Sequence, residues 1–553
     1  MWLLRIALSL AGMVLVISDI NVTLAQGLYF DGHTTVEDVR SLVVVPDSYP
    51  YEIGNLNRTI ENELEADPET VFILQRDAVY WLDETIEVSG NLNLHIRAEE
   101  GEGHPPIIRS AVAMGTSRYL FFTQSDVIFN GVFITAIDEA GKIRRPLVHR
   151  GSNNTIVFEN GWIVGTRNFS VWIKEEGNSV FMTNSIFANA GSDNQRKFGS
   201  LLNTGGFNQD TIWVENTTLY NFHYGYLRNS GLIDYLYVNH NTALNVATNI
   251  LISRALTAEI KNNLFLNFYT HGIPEGSPSG IIAAERLDWL TNEISDDERT
   301  IIIKNNNIGH LDDEHKEAMI ASRESRRGHD GGEAPVLDKL LQEWVNSGNG
   351  PSVIFDNNFA EEVNFANPPE AIVLWSTNLI ENRPYLETVY DQWDEASENL
   401  EPAPYHYTEE FIRNFSYSLN HASFSSAENG YPVGDLNWFP ELKDQWEQGV
   451  TAPPVPTRTE NSEKAVKRFH LVGNYPNPFN PGTTVVYEVM SDTEVTLEMF
   501  NVLGQNVKFL DLGKQSPGRH QVMIYAGELA SGVYMLRMQS GNEVQTLRIS
   551  LVR

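Results

Sequence analysis

The chain has 553 residues, too long for one compact domain and suited to an elongated domain with a small module beside it. Hydrophobic residues make up 42% and aromatics 10%, which excludes general disorder. With 39 Lys and Arg against 72 Asp and Glu, the net charge of −33 speaks against nucleic acid or an anionic membrane as partner, and with 0 cysteines there can be no disulfide, thiolate nucleophile or Cys-ligated metal.

At the N-terminus Arg5 precedes an uncharged apolar run, Ile6 to Ile17, and then Thr23-Leu24-Ala25, a small-x-small cleavage signal. Twelve apolar residues are too few to span a bilayer and suit the core of a signal peptide, predicted over residues 1–25. No later run reaches the roughly 18 apolar residues of a membrane helix. The expectation is an exported monomer without a transmembrane segment.

From residue 26 to about 450 the chain repeats one phrase: apolar-x-apolar-x-Asn, with another apolar residue three places on. It is anchored at Asn130, Asn160, Asn184, Asn216, His240, Asn262, Asn305 and Asn357, at spacings of 30, 24, 32, 24, 22, 43 and 52 residues. Alternation places the two apolar residues and the Asn on one inward face of a short strand, and a coil of this size buries that face only by stacking on its neighbours. Asn side chains in register can bond one another and the turn backbone. The phrase has period two, so helical repeats are excluded; a β-sandwich also alternates, but gives no reason to repeat Asn at one strand position.

With Val71-Phe72-Ile73-Leu74, Tyr80, Gly90 and Pro105-Pro106-Ile107-Ile108 as opening coils, this stretch resembles the right-handed parallel β-helix proteins of the pectate-lyase-like superfamily. The predicted fold class is all-β, a right-handed parallel β-helix solenoid followed by a small immunoglobulin-like β-sandwich. Near residues 270–300 and 309–350 the phrase is broken by charged, helix-favouring sequence, such as Ser295 to Arg299 and Asp312 to His315, read as surface insertions. The segment Gly430 to Pro440 is read as a cap over the last coil.

Residues 451–468, with Pro453, Pro454 and Pro456, have linker composition. Beyond them, residues 469–553 alternate like a small antiparallel sandwich. Tyr475 to Pro481, Val502-Leu503-Gly504 and Ser531 to Tyr534 resemble the type A C-terminal sorting domain of type IX secretion. That resemblance implies the type IX machinery as partner, and a secreted or cell-surface location.

A second pattern bears on chemistry. Strands that precede each anchored phrase end in Arg150, Lys174, Asn203, Arg228 and Arg254. Stacked coils would set these residues in one row with neighbours about 4.8 Å apart, where cations repel unless an anion offsets them. A uronic-acid polymer could be that anion, or the row could only keep exposed β-structure soluble. Lytic cleavage of a uronide needs a base for the C5 proton and a cation for the developing enolate, and a crowded Lys has a lowered pKa. The phrase Lys174 to Val180 is similar to the one that carries the catalytic Lys in β-helical alginate and chondroitin lyases. The resemblance implies Lys174 as base and Arg150 or Arg228 as its partner, with Asn203 and Arg254 binding substrate. Two departures stand out: Asn203, not an Arg, follows Lys174 by one coil, and the acidic calcium ligands expected upstream are absent from Asn168 to Trp172. Calcium, and any other cofactor, therefore stays unassigned. A glycoside hydrolase would want paired Asp on one strand face, whereas Asp312-Asp313 lies in an insertion; His149, His223 and His240 lack metal spacing. The favoured function is action on extracellular polysaccharide, as a lyase on an acidic glycan. The alternative is a non-catalytic carbohydrate-binding or adhesin-like solenoid.

Overall fold

In the computed structural model the described residues are 40–551, less 192–198, 269–279, 288–293, 325–332, 368–413, 453–468, 476–478 and a few shorter gaps (139, 141, 223, 247, 349, 490–491, 502–504, 517, 528, 541–542). The signal peptide and most of the linker lie outside them. The chain divides into two compact units, residues 1–455 and 456–553.

The first unit is a parallel β-helix. Three parallel sheets, of twelve, nine and six strands, run its length, with the strands of successive coils neighbours in each. Register holds residue by residue: Ile156 pairs with Val127 and Val180, Val180 with Ile212, and Ile212 with Leu236. These inward positions, with Phe129, Phe158, Phe187 and Ile260, form one continuous core. Phe129 and Phe158 stack with centroids 5.2 Å apart.

The asparagine anchors have a backbone reason. Asn160, Asn184, Asn216, His240, Asn262, Asn305 and Asn357 all adopt left-handed φ of 47–58° where the twelve-stranded sheet turns into the nine-stranded one. Among residues with a side chain, Asn tolerates that region best. Their amides bond coil to coil, Asn305 to Asn262 at 3.2 Å and Asn357 to Asn305 at 2.8 Å. The inward ladder, however, is built one residue later. Asn241, Asn263, Asn306 and Asn358 are joined amide to amide at 2.8–3.1 Å, and each donates to a carbonyl at the bend, Val214, Val238, Ile260 or Ile303, at 2.8–2.9 Å. Asn263→Ala strips Val238 of its donor and Asn241 of its acceptor inside the core; a loss of about 2–3 kcal/mol is expected from chemical denaturation.

The insertions are not all surface excursions. The helix Asp313–Glu324 begins with Asp312 bonded to His315 at 2.7 Å, but the helix Lys339–Ser347 buries Leu341 and Trp344 in the solenoid core. Its N-cap is Asp338, whose side chain accepts from the Leu341 and Ala284 amides at 2.9 and 3.2 Å.

The segment read as an end cap is a strap along the side. Ser423 meets Asn307 (2.9 Å), Glu428 meets Asn262 (3.0 Å), Asp435 meets Thr242 (2.9 Å) and Thr218 (2.7 Å), and Asn437 reaches the Asn216 carbonyl (2.7 Å). It therefore walks back over successive coils. Tyr431, Val433 and Leu436 cover outward apolar residues of the nine-stranded sheet, among them Tyr220, Leu244 and Leu264. Burial pushes the Asp435 carboxyl up to about 6 despite bonds from Thr218 and Asn437. A folded-state pKa above the unfolded one gives stability that is present at low pH and lost as pH rises through the folded value. Wild type should thus gain Tm relative to Asp435→Asn on going from about pH 7 to about pH 5, read from paired melting curves.

Among the described residues the second unit has seven antiparallel strands in sheets of three and four. Val485, Tyr487, Leu497, Ile524, Leu536 and Ile549 fill the space between them, which is the two-sheet arrangement expected.

Candidate functional site

The six-stranded sheet runs Leu227–Asn229, Ser200–Gly205, Phe169–Ile173, Arg145–His149, Tyr119–Thr123, Ile86–Val88. Its register sorts the candidate row. His149 pairs with Ile173, which sets Arg150 level with Lys174. Trp172 pairs with Asn203, and Asn203 with Arg228. Asn203 and Arg228 therefore share the row of Phe122, Val148 and Trp172, two residues before the row of Arg150 and Lys174. The same register brings Lys174 level with Gly205 on its other side, beside the Phe207 ring.

Arg254 is not on this face. It is 1% exposed, its guanidinium lies 2.9 Å from the Glu285 carboxylate, and it also bonds the Ser230 carbonyl. The cause is the link between the six- and twelve-stranded sheets. That link is residues 150–154 in one coil, then 174–177, 206–208 and 230–231, and vanishes in the continuous strand Ile250–Lys261, bent at Ser253 with φ 55°. A row aligned on strand ends drifts as the link shortens.

Around Trp172 the cations gather on aromatic faces. Lys174 Nζ sits 4.1 Å from the Trp172 ring centroid, the Arg145 guanidinium 5.4 Å from Trp172 and 5.8 Å from Tyr119, and Arg150 5.9 Å from Phe122. Arg150 is exposed; Lys174, Trp172, Arg145 and Arg228 are half-buried; Asn203 is buried. Partial burial lowers the Lys174 pKa, and the charges of Arg150 and Arg145 push it the same way against Glu175. Arg145 sits at a strand start rather than a strand end, where the row of strand ends does not reach; the aromatic residues Tyr119, Phe122 and Trp172, on the strands either side of Arg145–His149, are the available signal.

A buried polar chain holds the two turns. His149 Nδ1 lies 2.9 Å from Thr123 Oγ1 and Nε2 lies 3.1 Å from Asn154 Oδ1. The Asn154 amide donates to Asn178 at 3.0 Å, and Asn178 and Gln209 both donate to the Glu175 carbonyl at 3.0 Å. Burial lowers the His149 pKa, which disfavours a further cation beneath the Arg150 turn. Among the described residues no three His, Asp or Glu side chains gather as a metal site, and no helix is long and apolar enough to cross a membrane.

No curated protein matches this chain. Residues 474–551 match the secretion system C-terminal sorting domain, which marks the chain for type IX export to the cell surface or beyond.

Proposed function

We propose that the protein is a secreted lyase of the pectate-lyase-like kind that binds an acidic, uronate-containing polysaccharide along the six-stranded face. One observation carries the reading: three cations, Arg145, Arg150 and Lys174, converge on Trp172 and its aromatic neighbours in a protein of net charge −33. Aromatic rings offer area for sugar stacking, and guanidinium groups pair with carboxylates two bonds at a time. Lys174, its pKa lowered by its surroundings, takes the C5 proton while Arg150 holds the sugar carboxylate as its charge spreads to the enolate. The enolate then collapses to a C4=C5 double bond as the C4–O bond breaks, and the leaving oxygen takes a proton from the Lys174 ammonium or from water. Arg228, half-buried two residues before that row, extends the contact along the chain of sugars, while Asn203, buried with its side chain accepting from the Gly205 amide at 2.9 Å, supports the turn beneath. The same cluster serves a non-catalytic glycan binder equally well, so the test must read both properties. Alginate, pectate, chondroitin and neutral glycans are offered to the secreted protein, and binding and the ultraviolet absorbance of an unsaturated product are followed. Binding and absorbance on an acidic glycan support the lyase; binding alone leaves a docking solenoid; indifference to all acidic glycans overturns both.

Binding should also weaken with salt. Arg150→Ala lowers affinity most at low ionic strength, because the exposed part of the field is screened within a Debye length of about 10 Å at 0.1 M; titrations at two salt concentrations check it.

A further inference from the structure

We propose that the sorting module is recognised through its edge strand Gly518–Tyr525, which accepts an extended segment of the secretion machinery as one more strand. This rests on the module being an export address. In the three-stranded sheet, Phe469–Tyr475 pairs with Gly482–Val489, and Gly482–Val489 with Gly518–Tyr525, which leaves the last strand at an edge. Edges with open backbone groups invite pairing, and proteins guard those they do not use with charge, bulges or cover.

The other edges of the module are guarded. The strand Asn506–Gln515 carries Lys508, Asp511 and Lys514 and is broken by two register shifts, with Gly513 at φ 65°. Phe469–Tyr475 lies beside the opposite sheet, where the Leu471 amide donates to Gln545 at 2.8 Å, and Phe479 bridges to Leu551 at the end of Glu543–Leu551. The half-strand Gln521–Tyr525 has no charged residue. Val522 and Ile524 point into the core, while Met523 and Tyr525 stand 71% and 58% exposed on the outer face. Their partners across the sheet are Thr484 and Gly482, too small to cover them. Lys508 donates to the Tyr525 carbonyl at the end of the strand, so the stretch offered for pairing is Gln521–Met523. An apolar pair on such an edge is the signature of strand addition, in which the backbone supplies affinity and alternate side chains supply choice.

Charge agrees with an apolar rather than ionic contact. Residues 456–553 hold ten Lys and Arg against nine Asp and Glu, whereas the chain as a whole carries −33. A near-neutral address does not depend on the charge of its passenger.

The test uses the full chain expressed in a bacterium with a type IX system, measuring the fraction that leaves the periplasm. Met523→Lys/Tyr525→Lys should lower export by about tenfold or more, the effect of losing roughly 1.4 kcal/mol of recognition, with the Tm of the module unchanged. Phe509→Lys, at a 59% exposed apolar residue of the other sheet, should leave export as in wild type. Should the double Lys variant fail to fold, Met523→Ser/Tyr525→Ser replaces it under the same criterion. Wild-type export of the double variant, or an equal block by Phe509→Lys, overturns the edge strand as the docking site. Export of a chain truncated before residue 469 instead overturns the address itself.

Discussion

Lys174→Ala should cut turnover of the preferred acidic glycan by about 10²-fold or more, the usual worth of a positioned proton acceptor. Tm should stay level or rise slightly. The variant loses a cation–aromatic contact with Trp172, worth about 0.5–1 kcal/mol at a partly exposed site, and gains relief from Arg150 and Arg145, of similar size. The pH profile separates a base from a mere binding cation. A base works deprotonated, so activity rises with pH through the Lys174 pKa. Burial first, then Arg150 and Arg145, holds that pKa down; in Arg150→Ala it climbs, and the rising limb of kcat/KM must move to higher pH. Equal activity of wild type and Lys174→Ala on every acidic glycan, or a limb that stays in place in Arg150→Ala, would refute Lys174 as base.

Legibility followed the strength of local constraint. The Asn anchors could be read because a left-handed bend and a coil-to-coil amide bond both demand the same residue at each turn. Period-two alternation gave the parallel strands between them. The six-stranded face has no such anchor. Its strands end at different depths and its link to the next sheet shrinks coil by coil, so spacing alone aligned Lys174 with Asn203, whereas hydrogen bonding pairs Asn203 with Trp172. The strap was equally hidden: its contacts with Thr218 and Asn262 span sequence separations of 217 and 166 residues. Periodicity reports on a segment's own geometry and is silent about what lies over it.

Arg254, read from the sequence as a substrate ligand, and its neighbour Arg299 should instead be stability residues. At the bend of Ile250–Lys261 the chain turns the corner without a loop, and backbone carbonyls beside the bend take a side-chain donor. Arg299 serves them: Nε donates to Ala255 O at 2.8 Å, Nη2 to Ser253 O at 3.0 Å and Nη1 to Glu285 O at 2.7 Å. Its charge is met by Asp296 at 3.3 Å, and its plane lies 5.2 Å from the Trp344 ring. Buried carbonyls must be paired; Arg299→Ala takes that donor from Ala255 O and Glu285 O, while Ser253 O keeps the Glu285 amide at 3.0 Å and Asp296 keeps Arg286 at 3.6 Å. A loss of about 2–3 kcal/mol is expected, from the carbonyls that lose this donor inside the fold. Arg254→Ala should cost less, because the Glu285 side chain it leaves is 30% exposed and keeps water. Both variants should bind acidic glycan as wild type does once folded, whereas Arg150→Ala should not. Urea titration gives the first quantity and glycan binding below the transition gives the second. A weakened glycan affinity in folded Arg254→Ala would return that residue to the binding face, and a near-wild-type urea midpoint for Arg299→Ala would mean that the corner carbonyls find other donors.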